Sequence, residues 1–163
     1  MRKRLTILLA TLALPAAADT ACRYPDATAA ARALFSDYHD FYARPRPELR
    51  HILTDRFLDV IARDIACPLG DRSCTPPADP WLNAASREIA GPPSYSKAGE
   101  EEDTATVRIN YLLRGAHGTP HIREVLIYVV KPGKGNCWFV DDFLPSPSQS
   151  LTERVRAQSD ARK

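Results

Sequence analysis

The sequence predicts an α+β fold in which N-terminal helices pack on one face of a curved antiparallel β-sheet. Three observations predict it. Apolar residues recur with a helical period through the first half, they alternate with a period of two through the second, and short Gly/Pro turns join the alternating runs. Helices followed by a meander give an α+β layout rather than an interleaved one.

Between Asp26 and Ala43 the large apolar residues are Leu34, Phe35, Tyr38, Phe41 and Tyr42, one face of a helix. Pro25-Asp26 supplies its start and "RPRP" at Arg44–Pro47 its end. A second helical stretch runs from Pro47 to about Ala66 on Leu49, Ile52, Leu53, Phe57, Leu58, Ile61 and Ile65. Thr54-Asp55 can cap a fresh start there and divide it into two short helices. "ADPWLNAA" is then an irregular crossing that has Trp81 and Leu82 to bury.

In Thr104–Arg114, Ala105, Val107, Ile109, Tyr111 and Leu113 take one face, and Thr106, Arg108, Asn110 and Arg114 the other. "GAHGTP" turns the chain into His121–Lys131, whose "VLIYVV" is apolar on both faces, as a central strand is. "KPGKGN" turns it again into Cys137–Leu144, and a shorter strand is expected within Ser94–Glu102. A last helical turn is expected around Leu151–Val155, with a frayed tail over 156–163.

Residues 1–18 read as an export signal. "MRKR" is basic, "LTILLATLALP" is apolar, and Ala16–Ala18 supply the small residues a signal peptidase requires. The apolar run is shorter than the roughly 20 residues a membrane span needs, so no stable membrane insertion is expected and the location is periplasmic or secreted. Cleavage near Ala18 leaves about 145 residues, one domain over 19–155. Loss of Arg2, Lys3 and Arg4 takes the net charge from +2 to −1, which removes any electrostatic case for nucleic acid.

Export gives the four cysteines, Cys22, Cys67, Cys74 and Cys137, a reading as disulfides. The spacing of Cys67 and Cys74 lacks the paired knuckles of a zinc site and the C-x-x-C of thiol oxidoreductases. Four cysteines allow three pairings, and sequence does not choose among them. The arrangement favoured closes a small loop with Cys67–Cys74 and ties the N-terminus to a late strand with Cys22–Cys137.

Several stretches together carry a resemblance: "FSDYHDFYA", "LTDRFLDVIARDI", "ADPWLNA" and "CWFVDDFLPSPSQSLTERV". They resemble a group of small exported bacterial proteins catalogued as a domain of unknown function. The fold of that group is similar to the cone-shaped α+β fold of nuclear transport factor two and the cystatin-like superfamily. The resemblance implies an architecture and no catalytic residues. It also implies that two copies can pair through their sheets, so a dimer stays open. Some members of the group are lipoproteins, whereas Asp19 occupies a position where a lipobox needs an aliphatic residue.

In a cone fold the curved sheet and first helix enclose a pocket, and polar groups facing into it are the natural candidates. The ligand-pocket candidates are Tyr38, Tyr128, Asp141 and Asp142. Strict alternation puts Asp142 on a face with Trp138 and Val140, and Asp141 with Phe139 and Phe143, so the two acids cannot form one paired site. The alternative for either is a strand-end carboxylate that binds backbone or an arginine. His39 and Asp40 fall off the apolar stripe and are expected in solvent, and His117 and His121 flank a turn with no third metal ligand apparent. Asp79 before Pro80 initiates a turn that Trp81 anchors, and "GEEED" at Gly99–Asp103 is a solvated acidic loop or a contact for a basic partner.

No G-x-S-x-G, Walker, Rossmann or H-E-x-x-H pattern is present, and no cofactor or metal is expected. Three function classes remain. The leading one is a non-catalytic envelope module binding a protein partner or a small apolar ligand. The second is an inhibitor or immunity protein against an envelope-acting hydrolase, using "CPLGDRSC" or "GAHGTP" as a plug. The third is a pocket enzyme of the isomerase or dehydratase kind with an inward Asp.

Overall fold

The computed structural model describes residues 22–67, 79–82, 87–115, 120–133, 135–146 and 148–161. The expected leader 1–18, Cys74, His117 and most of the loops "CPLGDRSC" and "GAHGTP" lie outside them. The order of elements is α1 (Ala27–Asp37), a 3₁₀ turn (Pro47–His51), α2 (Asp55–Ile65), β1 (Arg87–Ile89), β2 (Ser94–Glu100), β3 (Thr104–Gly115), β4 (His121–Val130), β5 (Phe139–Leu144) and α3 (Leu151–Asp160). This is the α+β, curled antiparallel architecture read from the sequence.

Asp26 caps α1, its side chain accepting from the Ala29 amide at 2.8 Å. The helix ends at Asp37, earlier than the apolar periodicity suggests. There the Tyr38 amide bonds the Ala33 carbonyl five residues back, and the His39 ring nitrogen Nδ1 sits 3.2 Å from the Phe35 carbonyl that a continuing helix would give to a backbone amide. The turn beyond it still buries Phe41 and Tyr42. The second stretch divides at Thr54-Asp55, as expected: Thr54 caps α2, its hydroxyl accepting from the Phe57 amide at 3.1 Å. Phe57 and Ile61 are buried, whereas Ile65, on the same expected stripe, is exposed.

The sheet runs β1-β3-β4-β5, with β2 also on β3, and every pair is antiparallel. β1 and β2 lie end to end along one edge of β3, against Leu113–Gly115 and Ala105–Asn110 respectively. β4 is the central strand its two-faced apolarity predicts. Val125, Ile127 and Val129 are fully buried beneath the helices, while Leu126, Tyr128 and Val130 are half-buried on the outer face. The far edge of β5 is closed by chain rather than by a strand: Val140 exchanges hydrogen bonds with Ile52 (2.7 Å) and Thr54 (2.9 Å), and the Trp138 amide bonds the Tyr24 carbonyl at 3.0 Å. Beside that contact Cys22 is bonded to Cys137, the long bridge of the favoured arrangement. Cys67 is also in a disulfide, and its expected partner Cys74 lies outside the described residues.

α3 is longer than the single turn expected and runs to Asp160, capped by Ser150, whose hydroxyl accepts from Glu153 at 2.9 Å. It persists because Leu151, Val155 and Gln158 are buried and because Arg154 reaches the buried carboxylate of Asp64 on α2 and the Tyr42 hydroxyl.

Candidate functional site

Among the described residues, the space between helices and sheet, where a cone fold would hold a pocket, is occupied by aromatic side chains. Trp81, Phe41, Phe57 and Phe143 are fully buried there, and their rings meet edge-on or tilted: Trp81 and Phe143 at 4.7 Å, Phe41 and Phe143 at 5.9 Å, Phe41 and Phe57 at 6.4 Å. Trp81 anchors the group: its indole Nε1 donates to the His39 carbonyl at 2.8 Å and its own carbonyl accepts from the Tyr111 hydroxyl at 2.6 Å. Burial pushes the Tyr111 phenol up to about 12.

The two aspartates do not follow strict alternation, because β5 carries a β-bulge. Tyr128 faces Asp142 and Val129 faces Val140, so Asp141 has no partner across the ladder. The bulge puts both Val140 and Phe143 on the core face and both fully buried, three residues apart rather than two, and this corrects the face assignments expected from the sequence. The extra residue also swings Asp141 toward α2. There Arg56 Nε lies 3.0 Å from both carboxylate oxygens, Arg56 Nη2 donates to the Asp141 carbonyl at 2.7 Å, and the Thr54 hydroxyl donates to Oδ1. Hydrogen bonding to Asp141 raises the Arg56 guanidinium further above its ordinary range, against the opposing effect of burial.

Asp142 turns the other way. Its Oδ1 accepts from its neighbour Phe143 at 2.8 Å and from the Thr152 amide, in the first turn of α3, at 3.3 Å. Asp142 and Tyr128, opposite each other in register, line an open groove of about 450 Å³ with Thr106, Leu144, Thr152 and Glu153. The groove therefore lies on the outer face of the sheet, at the foot of α3. Both structural roles open to these acids are met, one by each: Asp141 holds an arginine and Asp142 holds backbone.

Tyr38 joins neither. It is buried, with the Arg46 guanidinium 5.8 Å from its ring centre and the Tyr24 phenol as a neighbour. Burial and the neighbouring Tyr38 phenol push Tyr24 up to about 12. Of the four pocket candidates, Tyr128 and Asp142 are thus brought together, and Asp141 and Tyr38 are each placed elsewhere.

A second hollow, about 320 Å³, is lined by His39, Asp40, Tyr42, Ile65 and Asp79. Its polar groups are engaged: His39 stacks on Trp81 at 5.1 Å, Asp40 pairs with Arg46 at 2.5 Å, and Asp79 accepts from the Trp81 amide at 2.8 Å. The expectation that His39 lies in solvent is corrected by that stacking, which leaves it only partly exposed. Among the described residues no group of three His, Cys, Asp or Glu side chains could hold a metal ion.

Sequence reading missed the surface on which the groove opens. The outer face of the sheet carries Leu112, Ile122, Leu126, Tyr128, Val130 and Leu144, five of them half-buried and Ile122 74% exposed. The ion pair of Arg108 with Glu124, at 3.0 Å, lies among them. The helices pack on the opposite face, over Val125, Ile127 and Val129. The signal was the two-faced apolarity of "VLIYVV", which centrality in the sheet explains on one side only. Compared with protein-family models, with curated proteins and with solved structures, the chain matches none.

Proposed function

We propose that the protein is an exported, non-catalytic binding module of the cell envelope that recognises a protein partner through the outer face of its sheet. The observation that carries this reading is the row from Ile122 through Leu126 to Tyr128 and Val130, apolar side chains left toward water on a strand whose other face is already the core. A small apolar ligand is the weaker alternative, because the interior a cone fold would offer it is packed with aromatic rings. The leader-like residues 1–18, and a Cys22–Cys137 bond of the kind that oxidising compartments preserve, support export. The hydrogen bonds of Asp142 to two backbone amides support a carboxylate that holds α3 in place over one that shuttles protons.

The test is a pull-down from envelope extract with the chain from Asp19 onward, comparing wild type with Ile122→Asp and Leu126→Asp. Ile122 is largely exposed, so its replacement leaves the fold intact. A protein retained stoichiometrically by wild type and lost from both variants is expected. No retained protein, or equal retention by the variants, would overturn the proposal.

A further inference from the structure

α2 and α3 pack side by side, and their exposed flanks form a second surface unrelated to the sheet. Arg56, Asp59 and Arg63 succeed one another along α2, and Thr152, Arg156 and Ser159 along α3, across an open groove of about 360 Å³ floored by Val60 and Val155. Arg56 and Arg63 are two helical turns apart, roughly 10 Å at the α-helical rise. Asp141 fixes one edge of the Arg56 guanidinium, while Arg63 and Arg156 are exposed and form no ion pair among the described residues. Counting the Asp141 that already holds Arg56, three guanidiniums thus stand against two carboxylates, Asp59 and Asp141.

The same chain presents the complementary charge. The turn between β2 and β3 consists of Glu101, Glu102 and Asp103, all exposed, and none of the three forms an ion pair among the described residues. Its backbone is held firmly: the Glu101 amide bonds the Thr104 carbonyl at 2.7 Å, the Lys131 amide bonds Asp103 at 2.9 Å, and Lys131 Nζ donates to the Glu102 carbonyl at 2.8 Å. The carboxylates therefore stand on a preorganised tip.

We propose that the arginine groove between α2 and α3 is a docking site for the acidic β2–β3 turn of a second copy of this chain. Guanidinium pairs with carboxylate in bidentate geometry, and a groove with arginines about 10 Å apart suits a short acidic segment better than a single small anion. The two patches differ, so the contact is heterologous and runs head to tail. A net charge near zero once the leader is gone does not oppose it. The outer sheet face stays free, so this association and the partner-binding reading stand or fall separately.

The test is sedimentation equilibrium of the chain from Asp19 at low and high salt, with two charge-reversed proteins, Arg63→Glu/Arg156→Glu and Glu101→Lys/Glu102→Lys. All four positions are exposed, and a thermal melt verifies that each variant is folded. Wild type is expected to self-associate at low salt and to weaken at least tenfold in Kd at high salt. Each variant alone is expected to be monomeric, and an equimolar mixture to associate again, since each supplies the patch the other has reversed. A wild type that stays monomeric to its solubility limit would overturn the inference. So would variants that associate as wild type does, or a mixture that remains monomeric.

Discussion

Asp141 and Arg56, 85 residues apart in sequence, are joined side chain to side chain and side chain to backbone, and the bond locks the start of α2 to the bulge in β5. The Thr54 hydroxyl both donates to Asp141 and accepts the α2 capping hydrogen bond, so one carboxylate orients the cap and the first turn together. Asp141→Ala leaves Thr54 and Arg56 without that acceptor and is expected to cost about 1–3 kcal/mol. Arg56→Ala is expected to cost less, because half of that side chain is in water. In urea unfolding the midpoint should fall with an unchanged slope, and the double variant should lose less than the sum of the two.

Asp142 is expected to act locally. Asp142→Ala removes the acceptor for the Phe143 and Thr152 amides and should lower stability by about 1–2 kcal/mol. Hydrogen exchange should quicken in the first turn of α3 before it changes in β3 or β4. Asp142→Asn keeps one acceptor oxygen and should fall between. Uniform exchange across the whole sheet in the alanine variant would contradict this placement.

Trp81 is the largest fully buried side chain. Trp81→Ala is expected to cost about 3–5 kcal/mol, the range for deleting a buried aromatic. Trp81→Phe keeps most of the ring contact but strands the His39 carbonyl, and should cost about 1–3 kcal/mol. Calorimetric melts of the two variants separate the packing contribution from the hydrogen bond.

The buried phenols set the alkaline limit. Tyr111 and Tyr24 are both raised from 10 to about 12, chiefly by burial. A raised folded-state value means that the neutral phenol is favoured in the fold. The associated stability is complete below pH 10, declines as pH climbs from 10, and is lost by about 12. The phenolate absorbance of these two should appear only late in an alkaline titration and together with unfolding, and Tyr24→Phe and Tyr111→Phe should each remove part of that late rise. Six tyrosines titrating as one ordinary class would contradict the assignment.

The Cys22–Cys137 bond spans 115 residues. In the chain-entropy picture its removal by Cys22→Ser is expected to cost about 4–5 kcal/mol. Thiol titration of the oxidised, denatured wild type should find no reactive sulfur at Cys22, Cys67 or Cys137.

Legible in the sequence was whatever depends on local pattern. The α2 start at Thr54, the alternation of β3 and the centrality of β4 are each written in a short window of side chains, and the structure agrees with them. Features that depend on contacts between windows escaped. Periodicity carries α1 through to Tyr42, but the Tyr38 and His39 hydrogen bonds end it at Asp37. Alternation assigns Asp141 and Asp142 to opposite faces, but a bulge, invisible to alternation, pairs Val140 with Phe143 in the core and sends Asp141 to Arg56. The filled interior was illegible for the same reason. Trp81 and Phe41 each read as core residues, and only their meeting shows that aromatic rings occupy the space between them.

The covalent closure from Cys22 to Cys137 also has a mechanical consequence. α1, α2 and β1 to β4 lie inside the loop, so tension applied at the two ends of the described chain passes through the sulfurs and bypasses them. The load falls on the segment beyond Cys137. α3 would peel from its Arg154–Asp64 tether, β5 would slide from between β4 and the Ile52–Thr54 segment, and the freed chain to Ala161 would reach a full length of roughly 80 Å. Under force the molecule is a closed ring with a short extensible tail, and reduction of one bond would turn the ring into more than a hundred residues of slack.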